Sequence, residues 1–100
     1  MSSDGDDNSL DLAKKSLENH LKEYEMRKGT SKFAFNFGLA QSLNSIGADY
    51  YYLKDYEKSL DQYSKAYVML KRLHKGDHPD LAQCLNNIGN CCIKEVESVN

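Results

Sequence analysis

Apolar positions recur along the chain in steps of three and four, the period of a helix rather than a strand. Residues 8–28 place Leu10, Ala13, Leu17, Leu21 and Tyr24 on one face, and residues 37–53 place Ala40, Leu43, Ile46, Gly47 and Tyr50 together. Residues 56–74 do the same with Tyr56, Leu60, Tyr63, Tyr67 and Leu70, with Ala66 beside them. Residues 80–96 do so with Leu81, Leu85, Ile88, Gly89 and Cys92. The pattern predicts four amphipathic helices. Asp55 opens the third after a very short turn, so helices two and three fold back antiparallel. Gly76 suits a left-handed C-cap, and Pro79 suits the first turn of the fourth helix. Asp4 to Asn8 reads as a flexible acidic tip, with Asp7 or Asn8 capping the first helix.

Two of these helices repeat one another. Leu39-Ala40-Gln41-Ser42-Leu43-Asn44-Ser45-Ile46-Gly47 recurs as Leu81-Ala82-Gln83-Cys84-Leu85-Asn86-Asn87-Ile88-Gly89, identical at seven of nine positions and 42 residues apart. A weaker echo relates Ser9-Leu10-Asp11 and Lys15 to Ser59-Leu60-Asp61 and Lys65, at a spacing of 50. Lys28-Gly29 echoes Lys75-Gly76 at 47. The shrinking offset predicts a longer first helix and about five extra residues within Thr30 to Gly38. Gly47 and Gly89 fall mid-helix, where glycine costs about 1 kcal/mol against alanine. Their recurrence predicts a close helix–helix approach, with Ser59 and Ala66 as the small residues opposite.

Leu43, Ile46, Gly47, Tyr50, Tyr56, Ser59, Leu60, Tyr63 and Ala66 resemble a tetratricopeptide repeat, with Ser59 in place of the usual alanine. The 42-residue period and the phrase Gly76-Asp77-His78-Pro79-Asp80-Leu81-Ala82 resemble the kinesin light chain type of that repeat. The resemblance implies an all-α chain of antiparallel helical hairpins, stacked as a short α-solenoid. It divides the chain into a tip (1–8), a second-helix-like half repeat (9–29), an extended connection (30–38), a complete repeat (39–80) and the first helix of a truncated repeat (81–100). The outward-facing end helices fit a fragment of a longer array, a self-associating segment, or caps on a very small array.

Such a stack implies a concave face lined by the first helix of each unit. A stripe beside the core positions fits it: Gln41, Asn44, Ala48, Tyr51 and Tyr52 in one unit, Gln83, Asn86, Asn90, Ile93 and Lys94 in the next. Amides offer both donors and acceptors to a peptide backbone, and tyrosine adds rigid contact area. Gln41, Asn44, Tyr51, Tyr52, Gln83, Asn86, Asn90 and Lys94 are the expected partner-binding residues. The competing reading for each is a solvated helix face. The expected partners are proteins or peptides, with self-association through the terminal helices as the alternative. An adaptor or scaffold is one use of such a module.

Composition narrows this further. The 100 residues carry 13 Lys plus Arg against 15 Asp plus Glu, for a net charge of -2. A chain so near neutrality gains little from a polyanion, so no nucleic acid is expected. The longest apolar run falls well short of the roughly 18 residues of a membrane span, and acids rather than an apolar stretch follow Met1. A cytoplasmic protein is therefore expected. Cys84, Cys91 and Cys92 fit reduced apolar residues: Cys84 and Cys91 sit about 10 Å apart along a helix, too far for a disulfide.

The remaining chemistry is sparse. Lys71, Arg72, His74 and Lys75 end helix three, where the helix dipole favours cations. His74, His78, Asp77 and Cys84 could suggest a metal, but the Gly76 and Pro79 breaks remove the single helix that would align the histidines. No paired carboxylates, phosphate loop or zincin motif appears, so no metal, cofactor or enzymatic activity is expected. Tyr50, Tyr56, Tyr63 and Tyr67 lie on core stripes and lack the interleaved basic residues of a base-stacking platform. Phe33, Phe35 and Phe37 are expected to anchor the connection over the helix ends, or else to offer a hydrophobic contact to a partner.

Overall fold

The computed structural model describes the backbone of residues 2–30 and 37–99, and the side chains of 8–29 and 37–98. Among the described residues there are four helices and no strand: α1 (Ser2–Thr30), α2 (Phe37–Tyr52), α3 (Tyr56–Leu73) and α4 (Pro79–Val99). Each packs on the next in chain order.

Local chemistry explains the breaks. The α2–α3 turn closes when Lys54 takes a left-handed φ of 66° and Asp55 N–H donates to the Tyr50 carbonyl at 2.9 Å. Asp55 then caps α3 by accepting the Lys58 amide at 3.3 Å. At the other end, the His74 amide returns to the Leu70 carbonyl at 2.8 Å, and Gly76 adopts φ 97°. Pro79 starts α4 where its missing N–H costs nothing, and the His78 carbonyl accepts from Leu81 and Ala82. The helix α1 starts at Ser2, well before the cap expected at Asp7 or Asn8. Acids near a helix N-terminus are compatible with that extension. Phe33 and Phe35 lie outside the described residues. Phe37 is the first residue of α2, with its ring 4.9 Å from that of His74.

The core joins Ala40 and Leu43 of α2, Ala66 and Leu70 of α3 and Cys84 of α4, with Tyr24, Tyr67 and Leu81 packed around them. The close approach expected at Gly47 is present. A Cβ there would lie 2.9 Å from Tyr63 Cδ1, and Ser59 Oγ donates to the Gly47 carbonyl at 2.6 Å. Gly89 corrects the same expectation, because nothing lies within 4 Å of the Cβ it lacks. Its sequence copies Gly47, but among the described residues no helix sits opposite it.

The face of α1 is corrected in part. Ala13, Leu17 and Tyr24 are partly buried, Tyr24 against the core, but Leu10 and Leu21 are exposed, and Ser16, His20 and Arg27 are turned toward α2. Buried polar groups cost little when paired, and α2 supplies the partners.

The contacts also reset the repeat. Ser16 Oγ meets Asp49, and Ser59 Oγ meets Cys91. These pairs are related by 43 and 42 residues, so α1 repeats α3 at 43 rather than at 50. Six residues separate α1 from α2 and five separate α3 from α4, so the connection gains one residue rather than five.

Candidate functional site

The amide stripe divides between two sides of α2. Gln41 and Asn44 join Gln83 of α4 in a cleft of about 200 Å³, together with Phe37, Leu70 and Asp80. Tyr51 and Asn90 line a smaller cleft of about 90 Å³ with Tyr63 and Asn87. Asn86 is exposed on α4, one helical turn from both Gln83 and Asn90. Lys94 is half-buried with its ammonium 3.5 Å from Glu97. Tyr52 stands apart: its hydroxyl lies 2.7 Å from Ser9 Oγ, and with Ala48 it lines a groove against Leu12 and Ala13 of α1. Asn44 is also tied inward, since its Oδ1 accepts from the Cys84 thiol at 3.7 Å.

The sequence reading missed a polar seam between α1 and α2. Asp49 is nearly buried and accepts from Ser16 at 2.8 Å and from His20 Nδ1 at 2.5 Å. Seven residues after His20, Arg27 donates to the Gly38 carbonyl and to Ser42 Oγ at 2.9 Å, and Ser42 donates to Glu23. A signal existed: Ser16, His20, Glu23 and Arg27 are spaced by four, three and four, which is one face of a helix. The seam joins a serine, a histidine and an aspartate, but it lacks the wiring of a nucleophile. The Ser16 hydroxyl donates to the carboxylate itself, and both partners share His20 Nδ1. A catalytic serine instead donates to the histidine nitrogen remote from the aspartate. The seam holds α1 on α2.

The α3–α4 turn gathers His74, His78 and Asp80, whose ligand atoms lie within 4.8 Å of one another. Asp77 and Cys84, the companions expected from sequence, are not part of it. A cation needs lone pairs that converge. The two imidazoles are instead stacked at 3.5 Å and 7°, so their in-plane lone pairs cannot meet at one ion. His78 Nδ1 also already accepts the Asp80 amide at 3.1 Å, while Asp80 Oδ2 takes His74 Nε2 at 3.2 Å. The cluster works as a clamp on the turn.

Burial raises the pKa of Cys84, opposed by the Asn44 hydrogen bond. Burial does the same to Cys91, opposed by Ser59. The Ser59 hydroxyl proton goes to Gly47, so the Cys91 thiol is the donor to Ser59. Both are neutral packing thiols. Cys92 is exposed.

Hairpins of this register, with a serine and a tyrosine closing on a mid-helix glycine, meet a direct match: the tetratricopeptide repeat model covers residues 38–95. The chain belongs to the tetratricopeptide repeat family. No curated protein and no solved structure matches it. Repeats of this family are in general protein-interaction modules, and each of the two clefts draws residues from α2, α3 and α4. No helix among the described residues is long and apolar enough to cross a membrane.

Proposed function

We propose that this tetratricopeptide module binds an extended or helical peptide along the first helices of its repeats, as a cytoplasmic adaptor or scaffold of kinesin light chain-like type. The observation that carries this is the cleft in which Gln41, Asn44 and Gln83 come together from α2 and α4. Amides at repeated positions present the same donor and acceptor pattern twice along one face. A peptide lying across both units meets it in register. Tyr51 and Asn90 extend the face, Asn86 fills its exposed middle, and Lys94 supplies charge at one end.

Tyr52 contributes from the α1 side, where it would contact a longer ligand. A random peptide library displayed on phage and panned on the chain tests the idea. Selected peptides should lose at least about tenfold in affinity, or about 1.4 kcal/mol, in Asn44→Ala with Asn86→Ala. Helical content should be unchanged. Binders indifferent to that double substitution would refute the placement.

A further inference from the structure

The cleft of about 200 Å³ between α2 and α4 is not neutral. Among the described residues that line it, Asp80 alone is charged, and its side chain is 49% exposed. His74 and His78 both reach it at Oδ2, at 3.2 and 3.6 Å, and Oδ1 has no partner among the described residues. Gln83, three residues on, lies on the same side of α4. Its amide nitrogen donates to Asn87 at 3.2 Å, which leaves the amide oxygen as an acceptor. The half-exposed Phe37 ring and the buried Leu70 add an apolar wall.

The other clefts differ. The one at Tyr51 and Asn90 has no charged residue among those that line it. In the groove beside Tyr24, Val68 and Met69, Asp61 and Lys65 pair with each other at 3.2 Å. In the groove beside Leu12 and Ala13, Asp49 is taken up by Ser16 and His20.

We propose that the cleft between α2 and α4 takes an arginine side chain of the bound peptide. This rests on the peptide reading above and names what the peptide must carry. A carboxylate oxygen and an amide oxygen on one helix face ask for a donor with several N–H groups, and a guanidinium has five in a planar fork. An aromatic wall favours the same group, because that plane stacks on a ring. Leu70 and Ala40 suit its aliphatic stem. The volume is below the roughly 300–1,000 Å³ of pockets that enclose a whole small molecule, and fits one long side chain. An acidic side chain would meet the Asp80 charge, and an apolar one would cover two acceptors without satisfying them. Stabilising the start of α4 alone would account for Asp80. It would not account for a half-exposed ring and a second acceptor at the same cleft.

Fluorescence anisotropy with the phage-selected peptides tests this. Peptides that lose affinity in Asn44→Ala with Asn86→Ala should share an arginine. Replacing that arginine by citrulline, which keeps the shape and removes the charge, should weaken binding at least about tenfold, or about 1.4 kcal/mol. In Asp80→Asn the arginine and citrulline peptides should bind nearly equally, because the pair is already broken. Gln83→Lys should have the same effect by pairing with Asp80 from within the chain. Helical circular dichroism should be unchanged in both variants. Peptides that depend on Asn44 and Asn86 but share no arginine, or bind as well with citrulline, overturn the proposal and leave the peptide reading standing. A citrulline penalty that persists in both variants also overturns it, since the arginine then sits elsewhere. No selected peptide, or peptides indifferent to Asn44 and Asn86, would remove the reading and the proposal together.

Discussion

The helices α2 and α4 carry nearly the same residues in different surroundings. Leu43 is 2% exposed and its copy Leu85 is 52% exposed. Gly47 lies under the Tyr63 ring, while Gly89 faces nothing. By contrast, Ser42 and Cys84 are both fully buried, as are Asp49 and Cys91 apart from a trace. These pairs explain one another. The second group faces the preceding helix, which both α2 and α4 possess. The first group faces α3 in the case of α2, and in the case of α4 faces a side on which no described residue packs. In a repeat, burial is a property of neighbours, and a residue inherits it only where the neighbour exists.

The largest expected effect puts this contrast to a stability measurement. Leu43→Ala should lower the unfolding free energy by about 2–5 kcal/mol through lost burial and a residual cavity. The same change at Leu85, measured in dilute solution, should cost less than about 1 kcal/mol. Equal urea midpoints for the two variants would erase the distinction between the helices.

The two glycines should differ in sign. Gly47→Ala drives a methyl into the Tyr63 ring and should destabilise by about 1–3 kcal/mol. Gly89→Ala meets open space and should stabilise the chain by up to about 1 kcal/mol through helix propensity. Thermal melts of both variants decide it, and a loss at Gly89 would mean that a neighbour sits there.

A third variant compares the seams on the two sides of the stack. Where α1·α2 holds Ser16, His20 and Asp49, α3·α4 holds Ser59, Tyr63 and Cys91. Removing His20 leaves Asp49 with Ser16 as a remaining partner, so His20→Ala should cost about 1–3 kcal/mol. Restoring the native value with an added Asp49→Asn would show that the cost lies in the unpaired carboxylate. No recovery would point to lost packing instead.

Alkali should act on the apolar seam. Burial, helped by Cys91, Tyr51 and Asp49, raises Tyr63 from 10.0 to about 12, and burial raises both Cys84 and Cys91 above 9.0. The unfolded chain therefore loses these protons first. Stability is full below about pH 9 and falls as pH rises toward 12. Tyr63→Phe should flatten the part of that fall above pH 10, read from urea midpoints at stepped pH. The smallest effect is chemical: a thiol reagent at neutral pH should label Cys92 rapidly and reach Cys84 and Cys91 only on unfolding.

Much of this architecture was legible in the chain. The period of apolar residues placed all four helices, with the α2–α3 and α3–α4 breaks within a residue or two. Asp55, Gly76 and Pro79 act locally, so their roles followed from their chemistry. The face of α1 followed only in part: Tyr24 packs on the core as expected, but apolar spacing favoured Leu10 and Leu21 over Ser16 and His20. Which face wins depends on Asp49 and Ser42, far along the chain. The register of α1 was obscured for a related reason. Ser9-Leu10-Asp11 matches Ser59-Leu60-Asp61 letter for letter. Ser16-Leu17-Glu18-Asn19-His20 keeps only the Ser-Leu pair of Ser59-Leu60-Asp61-Gln62-Tyr63, yet its Ser16 makes the equivalent contact. The amide stripe was legible as residues, but its division into two clefts with Tyr52 on the α1 side was not.

By itself the sequence determined the four helices, the breaks at Asp55, Gly76 and Pro79, and the repeat of α2 in α4, because periodicity, capping and glycine conformation act within a few residues. Tertiary structure decided which copy of each residue is buried and which polar groups of α1 turned onto α2. Those outcomes depend on the presence of a second helix at contact distance. Nearly identical segments such as those ending in Gly47 and Gly89 cannot carry that information within themselves.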